Sequence, residues 1–166
     1  HATERIFIPL LKATAPDFID YYMPENGVFH NLIMAKIKTF YPGHASQMMH
    51  AFWGVGQMSF VKHAIFVNDD APLLTNHQEI IKHILNRINV DDMLISKGVI
   101  DALDHSSPKF AVGGKLGLDC TGDEIEELGI TLLDDEMLLG KMQNISSEIK
   151  ALKQYFLDTK NPITVI

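Results

Sequence analysis

Eight histidines in 166 residues raise the question of a metal site. Those in predicted helices form two pairs, His44 with His50 and His77 with His83, and each pair is six residues apart. A helical zinc site places its two histidines at i and i+4 on one face, so neither pair has the required spacing. Isolated histidines more often satisfy a structural hydrogen bond. The sequence therefore predicts no metal site built from these residues.

Two neighbouring carboxylates, Asp69 and Asp70, directly follow the apolar run 64–67. If that run is a parallel strand, the pair lies at its carboxyl end, where open α/β sheets bind ligands. The alternative is a solvated pair that ends the strand before a helix. We favour this second interpretation, because nothing else in the loop is catalytic by residue type.

The only cysteine, Cys120, has no basic neighbour in sequence that would lower the pKa of its thiol. It is therefore interpreted as a packing residue rather than a nucleophile. A single cysteine also excludes an internal disulfide and is typical of a reducing compartment. We expect a cytoplasmic protein.

Three glycines cluster around Lys115 within the segment 113–123, in a pattern that superficially resembles a phosphate-binding loop. Leu116 stands where a P-loop requires Ser or Thr, and the upstream glycine of that motif is missing. The segment therefore does not predict a nucleotide site.

The elements that must position these residues are organised around the stretch from Tyr41 to Met93. Residues 64–67 are apolar, rich in β-branched and aromatic side chains, and are stopped by Asn-Asp-Asp and Pro72, which is typical of a strand buried on both faces. The run 75–78 has the form of a capping box. Isoleucines and a leucine then recur on one helical face between residues 80 and 88, before an apolar strand at 93–95. This order predicts a βαβ unit with parallel strands.

The rest of the chain predicts further elements of an α/β fold with a mixed, largely parallel sheet and flanking helices. These elements are a helix at 3–12 that must accommodate Pro9, a strand at 18–23, a tight turn at 24–27, a strand at 28–39, a helix at 44–58, a loop at 99–108 and an acidic connector at 123–135.

Length and charge exclude several classes of protein. With 166 residues and 46% hydrophobic content the chain can bury one core, so we expect an α/β domain over residues 1–133 and a helical segment with a tail over 134–166. The net charge is −7 and the only arginines are Arg5 and Arg87, which argues against a nucleic-acid surface. No apolar run approaches the ~18 residues of a membrane span.

The C-terminal region carries an apolar stripe with alternating spacings of four and three residues, which is typical of a coiled-coil seam. Its members are Leu138, Met142, Ile145, Ile149, Leu152 and Phe156. Two interpretations stay open: a terminal helix docked on its own domain, or a helix that contacts another subunit in a homo-oligomer. Gly140 and the run 144–147 could divide the stripe into two helices, with Asn144 or Ser146 as a cap.

Five separate motifs, in this order and spacing, resemble the UbiD family of decarboxylases over residues 2–122. They are Ala2-Thr3-Glu4-Arg5-Ile6-Phe7-Ile8-Pro9-Leu10, Pro24-Glu25-Asn26-Gly27-Val28-Phe29-His30-Asn31, Tyr41-Pro42-Gly43-His44-Ala45, Asn68-Asp69-Asp70 and Gly114-Lys115-Leu116-Gly117-Leu118-Asp119. The chain is similar to the C-terminal α/β domain of the family, which follows a cofactor-binding domain and a flavin-reductase-like barrel.

The resemblance implies a carboxy-lyase that removes CO2 from an aromatic or polyprenylated hydroxybenzoate-type acid, as in quinone biosynthesis. It implies prenylated FMN, with a divalent metal such as Mn and potassium, in the full-length enzyme. The family's catalytic and metal-binding segments have no counterpart here, so no catalytic residue is expected in this chain. The expected partners are upstream domains of the same protein and a second subunit.

By resemblance, Arg87 matches a position near the cofactor phosphate, and Ile100 and Ala102 match positions that line the substrate pocket. The alternative for Arg87 is a structural role, as a cation at the C-terminal end of a helix that is paired with Asp91 or Asp92.

The competing function for the whole chain is a freestanding α/β interaction or flavin-binding module without catalysis. It stays open because a fold alone does not determine function.

Overall fold

Five strands and three helices form the main body of the fold. The computed structural model describes residues 2–28, 31–126 and 131–166. In chain order the elements are α1 (Ala2–Thr14), β1 (Phe18–Tyr22), β2 (Leu32–Ile37), α2 (His44–Trp53), β3 (His63–Asn68), α3 (His77–Leu85), β4 (Met93–Val99) and β5 (Val112–Cys120). The strands form one mixed sheet in the order β1-β2-β3-β5-β4. The predicted α/β class is confirmed.

Strand β3 is the centre of the sheet, and the prediction that residues 64–67 form a strand buried on both faces is confirmed. It pairs in parallel with β2 on one side and with β5 on the other. Ala64, Phe66 and Val67 are completely buried. Ala64 and Phe66 belong to the apolar core that includes α2, and Val67 belongs to the core beneath α3. A strand covered on both faces has no polar face, which is why its sequence shows no alternation.

The predicted βαβ unit is wrong in its second strand. β4 pairs antiparallel with β5 at the edge of the sheet, and β5 lies between β4 and β3. The parallel crossover is instead β2-α2-β3. Periodicity locates an apolar strand but carries no information about its direction, which depends on the later hairpin to β5.

The helices differ from prediction mainly at their ends. α1 contains Pro9, as expected for a helix over this segment. α2 ends at Trp53, and a separate 3-10 helix (Gly56–Phe60) follows, because Gly54 and Gly56 interrupt the last predicted turns. The capping box is wrong: Asn76 is the N-cap of α3 and no side chain caps the helix.

The connection between β1 and β2 also differs. Residues 25–27 form a 3-10 turn, and the positive φ angle expected at the Asn-Gly pair occurs at Val28, at 46°. The two strands pair antiparallel. β2 is half as long as the predicted strand over 28–39.

A glycine permits the close packing of α2 on β5. A Cβ atom at Gly117 would lie 3.3 Å from Trp53 Cη2 and closer still to the sulfur of Met49. The glycine-rich segment 113–117 is therefore part of a strand packed beneath a helix, and the phosphate-loop likeness has no structural counterpart.

The C-terminal region contains helix α4 (Asp135–Ile145) and a hairpin of β6 (Lys153–Tyr155) and β7 (Ile163–Val165). The predicted seam is therefore wrong beyond Ile145, because Ser146 adopts an extended conformation and ends the helix. The hairpin connection contacts the end of α3, where the Asn161 side chain donates to the carbonyl of Leu85 at 3.0 Å. Of the predicted connector over 123–135, residues 127–130 lie outside the described residues.

Among the described residues, no helix is both long enough and apolar enough to cross a lipid bilayer.

Candidate functional site

A cleft of about 520 Å³ lies at the carboxyl ends of β2 and β5. This is the edge where an open α/β sheet is expected to bind ligands. Its lining residues are Thr39, Phe40, Tyr41, Pro42, Gly43, Arg87, Asp92, Asp119, Thr121, Gly122, Asp123 and Ile125. Arg87 is thus the one residue predicted for a cofactor role that lines this cleft.

The floor of the cleft is held by a chain of hydrogen bonds between neighbouring strands. The Thr39 hydroxyl donates to Asn68 Oδ1 at 2.5 Å, and Asn68 Nδ2 donates to the carbonyl of Thr121. Asp119 Oδ1 accepts from the backbone N–H of Thr121 at 3.0 Å and from its hydroxyl at 2.6 Å. The ends of β2, β3 and β5 are therefore fixed to one another.

Arg87 connects the end of α3 to the segment after β5. Its Nε donates to the carbonyl of Gly122 at 3.1 Å, and its Nη1 donates to the carbonyl of His83 at 3.3 Å. Its acidic partner is Glu124, at 3.4 Å, rather than Asp91 or Asp92. The side chain is 17% exposed. Arg87 therefore acts structurally as a helix C-terminal cation that satisfies backbone carbonyls.

The charge of the cleft does not fit a phosphate group. Three of its lining residues, Asp92, Asp119 and Asp123, are acidic, and Arg87 is the single Lys or Arg among the lining residues. Its guanidinium directs three of its five N–H groups to two carbonyls and a carboxylate. Any phosphate in this cleft would therefore share a single arginine with these acceptors and would face three carboxylates.

Metal ligands are also absent from the described residues, which contain no group of three His, Cys, Asp or Glu side chains placed to hold an ion. One histidine of each sequence pair has another partner. His44 is buried with Nε2 3.3 Å from Asp17 Oδ2, and its ring stacks on Tyr41 at 4.5 Å. His77 lies 3.3 Å from the hydroxyl of Tyr22.

The remaining candidate nucleophiles and acids differ in their environments. Asp69 and Asp70 are exposed and lie outside the cleft lining, in agreement with the solvated-pair interpretation. Burial, and secondarily the charge of Asp119, raises the pKa of the Cys120 thiol to about 12. Burial also lowers the pKa of His83, with a further contribution from the nearby Arg87.

The two residues predicted for a substrate pocket lie far from Arg87. The backbone N–H of Ile100 donates to the carbonyl of Ala111, just before β5 begins, whereas Arg87 binds Gly122, just after β5 ends. A nine-residue strand separates these points by about 26 Å. The structure does not bring the predicted cofactor and substrate residues together.

Ile100 is completely buried, and Gly113 leaves the space that its side chain occupies, because a Cβ there would lie 2.9 Å from Ile100 Cδ1. Ile100 thus packs inside the domain and offers no surface to a substrate here. Ala102 is exposed in the loop between β4 and β5, so its assignment to a pocket wall stays a prediction.

The sequence did not predict a cluster of charged side chains near the start of β3, which consists of Lys62, Asp104 and Lys115. The Asp104 carboxylate lies 2.8 Å from Lys62 Nζ, with side chains 9% and 19% exposed. Hydrogen bonds from Lys62 and from Ser106 hold the pKa of Asp104 well below its usual range. This pair fixes the β4–β5 loop to the start of β3.

Lys115 lies beside this pair and is almost completely buried, at 5% exposure. Its Nζ donates to the carbonyls of Ser59 at 2.5 Å and Val61 at 2.6 Å. Burial, and secondarily the charge of Lys62, lowers its pKa to about 8. The local sequence carried no signal of this burial, because the glycine that faces the Lys115 stem is Gly98 on the neighbouring strand, where a Cβ would lie 3.4 Å from Lys115 Cε.

The profile of the 3-octaprenyl-4-hydroxybenzoate carboxy-lyase C-terminal domain matches residues 1–120. An uncharacterized protein of Helicobacter pylori (strain J99) is 59% identical over all 166 residues, which make up 27% of that protein. One from Aquifex aeolicus is 42% identical over 127 residues, covering 76% of this chain and 26% of that protein. The chain therefore spans about a quarter of the length of these relatives.

Solved structures of decarboxylases share the fold. The vanillic acid decarboxylase of Sedimentibacter hydroxybenzoicus, in its open form with one truncated subunit, has a TM-score of 0.65 at 17% identity, covering 88% of this chain and 32% of that chain. The enzyme HmfF of Pelotomaculum thermopropionicum, in complex with FMN, has a TM-score of 0.63 at 20% identity, covering 80% and 30%. The 3,4-dihydroxybenzoic acid decarboxylase of Enterobacter cloacae has a TM-score of 0.61 at 18% identity, covering 84% and 32%.

Proposed function

The chain belongs to the UbiD family and matches the family's C-terminal domain, and we propose that it is part of a longer prenylated-FMN-dependent decarboxylase. The proposed substrate is an aromatic or polyprenylated hydroxybenzoate-type acid, which loses CO2. The observation that carries the proposal is the family match over residues 1–120. The shared fold with decarboxylases of hydroxylated benzoic acids supports the same substrate class.

In this proposal the domain supplies one wall of the reaction chamber and no catalytic group. Its cleft carries three carboxylates and one arginine that already binds protein acceptors, and its single thiol has a pKa raised to about 12. Prenylated FMN, with Mn and potassium, would be held by other parts of the longer protein and would supply the covalent chemistry. The contribution of the domain is to shape the chamber and exclude water.

The exposed loop between β4 and β5 is the part of the domain that we propose to line the chamber. It carries Ala102 and is fixed by the ion pair of Asp104 with Lys62. A rigid loop on a packed sheet can position apolar side chains next to a substrate at little entropic cost.

Subunit contact through α4 is also proposed, over a shorter surface than the sequence suggested. Of the predicted seam, Leu138, Met142 and Ile145 lie in the helix, and Ile145 is 81% exposed. A reducing, cytoplasmic location is proposed on the basis of the single, buried cysteine.

The test is a substrate panel for the longer protein, loaded with prenylated FMN. We expect CO2 release from 4-hydroxybenzoate or from its polyprenylated derivative, and none from a saturated acid of similar size. If none of the aromatic acids is decarboxylated while the flavin is demonstrably bound, the proposed activity is wrong.

A further inference from the structure

An apolar exposed surface lies on β4 and the adjoining loop, at the amino end of β5. Four large apolar side chains are exposed there: Ile95 at 79%, Val99 at 43%, Leu103 at 81% and Phe110 at 81%. Monomeric proteins rarely expose a large contiguous apolar patch unless another surface covers it. We call these four residues, with Lys97 and Lys109, the hairpin surface.

The sheet geometry explains why no helix covers this surface. Ile95 and Val99 lie on the face of the sheet that carries α3, as their paired residues Leu116 and Val112 do. The core beneath α3 includes Val67 and Cys120, at the carboxyl ends of their strands. The nine residues of α3 span only about 13 Å, so the opposite half of this face stays uncovered by the described helices.

The loop that carries Leu103 and Phe110 is fixed in place. The backbone N–H of Leu103 donates to Asp101 Oδ1 at 2.8 Å, and the Asp104 carboxylate binds Lys62 at 2.8 Å. The Ser107 hydroxyl donates to the carbonyl of Val112. Apolar side chains held outward on a rigid loop are typical of a preformed docking site, because little conformational entropy is lost on binding.

The charges around the hairpin surface select the kind of partner. Lys97, Lys109 and His105 are exposed at its border, although the chain as a whole carries a net charge of −7. The loop contains two carboxylates: Asp104 is paired with Lys62, and Asp101 accepts from the backbone N–H of Leu103. The surface therefore complements an apolar patch bordered by carboxylates.

A second copy of the chain fits this surface poorly. In a two-fold contact both copies present the same surface, which supplies no carboxylates to the lysines at its border. Antiparallel pairing of two β4 edges about Ser96 would place Lys97 opposite Ile95, without a charge partner. Lysine on an edge strand is a common device against edge-to-edge pairing.

From these observations we propose that the hairpin surface docks this domain onto the preceding part of its own longer protein, on an apolar patch bordered by acidic side chains. About three quarters of the matched relatives lies outside the segment that corresponds to this chain. The matched family profile describes a C-terminal domain, which places the partner upstream. The inference rests on the proposed function only for the existence of that longer protein.

Binding without turnover tests the docking site separately from the activity. The probe is the Helicobacter pylori (strain J99) relative expressed without its matching 166 residues, titrated calorimetrically with this chain. We expect a complex that the double variant Leu103→Asp, Phe110→Asp weakens at least about tenfold. Leu73→Asp is the matched control, because Leu73 is 74% exposed in the loop after β3, at the opposite edge of the sheet.

The charged border gives a second readout. The variant Lys97→Glu, Lys109→Glu should bind more weakly at low salt and lose most of the salt dependence of the wild-type affinity. Absence of binding by the wild-type chain, or equal weakening by Leu73→Asp, would overturn the proposal. So would self-association of the wild-type chain that the Leu103→Asp, Phe110→Asp variant abolishes.

Discussion

Arg87 donates through Nε to the carbonyl of Gly122 at 3.1 Å, and this bond ties the end of α3 to the end of the central parallel strands. The same guanidinium satisfies a carbonyl in the last turn of its own helix. The residue that sequence resemblance placed near the cofactor phosphate thus binds two backbone carbonyls of this domain. A cofactor contact would have to share Arg87 with these partners.

Removal of Arg87 should therefore destabilise the isolated domain. Arg87→Met leaves two carbonyls without their charged donor, and we expect a loss of about 1–3 kcal/mol in the free energy of unfolding. Urea denaturation measures it. The other arginine of the chain provides the control: Arg5 is 67% exposed and pairs with Asp20 on the surface, so Arg5→Met should cost well under about 1 kcal/mol. Equal effects for the two variants would contradict the structural role of Arg87.

Lys115 should make stability rise with pH. Its pKa in the folded state is about 8, below the ordinary value of 10.5, so the folded protein releases a proton that the unfolded chain retains between these values. The contribution of Lys115 to the free energy of unfolding is therefore lowest below pH 8 and increases up to about pH 10.5. Unfolding free energies of the wild type and Lys115→Met, measured at pH 7.5 and pH 10, should show this gain only in the wild type.

The control for that measurement is Lys97→Met, which removes an exposed lysine of β4 that is paired with Gly114, next to Lys115. Its pH profile should run parallel to that of the wild type. If Lys115→Met also runs parallel, Lys115 is not buried as a lysine of lowered pKa.

Asp104 should control the order of the β4–β5 loop. Asp104→Asn removes the ion pair with Lys62 and weakens the acceptor for the Ser106 N–H, so hydrogen exchange at the Ser106 amide should become faster. The pKa of Asp104 is depressed in the folded state. Asp104 therefore contributes to the free energy of unfolding when the pH is above its ordinary pKa of 3.8, and this contribution is lost as the pH falls below 3.8. Asp69→Asn, at an exposed site away from the loop, should leave the exchange rate unchanged.

Gly117 should be intolerant of a side chain. Gly117→Ala places a Cβ against Met49 and 3.3 Å from Trp53 Cη2, which forces α2 away from the sheet at a cost of about 1–3 kcal/mol. Gly114 is on the same strand, and a methyl group added there would have no neighbour within 4 Å, so Gly114→Ala should be close to neutral. Thermal unfolding of the two variants compares them, and similar midpoints would show that the helix does not pack as described.

The buried strand 64–67 could be predicted because full burial leaves an uninterrupted apolar run. The direction of β4 could not, since it depends on pairing with β5, and pairing lies outside any local pattern. The spacing of Ile149, Leu152 and Phe156 indicated a helix, but the chain after Ile145 turns extended and forms a hairpin. The spacing shows which side chains would share one face of a helix, but it does not ensure that the backbone is helical.

The candidate site was predictable in part. The carboxyl edge of the sheet was the expected place for a cleft, and Arg87 lies in it. The acidic lining and the backbone partners of Arg87 were not predictable, because they come from residues distant in sequence, such as Gly122. The burial of Lys115 was not predictable for the same reason, because its partners are backbone carbonyls, which any residue type provides.

The central claim is that this domain completes a decarboxylase without supplying its catalytic groups, and one comparison tests it most directly. CO2 release from the best aromatic acid is measured for the longer protein loaded with prenylated FMN, for the same protein truncated before this domain, and for the 166-residue chain alone. We predict turnover by the first, a loss of at least about tenfold for the second, and none for the third. Turnover by the isolated chain, or full activity after truncation, would contradict the account.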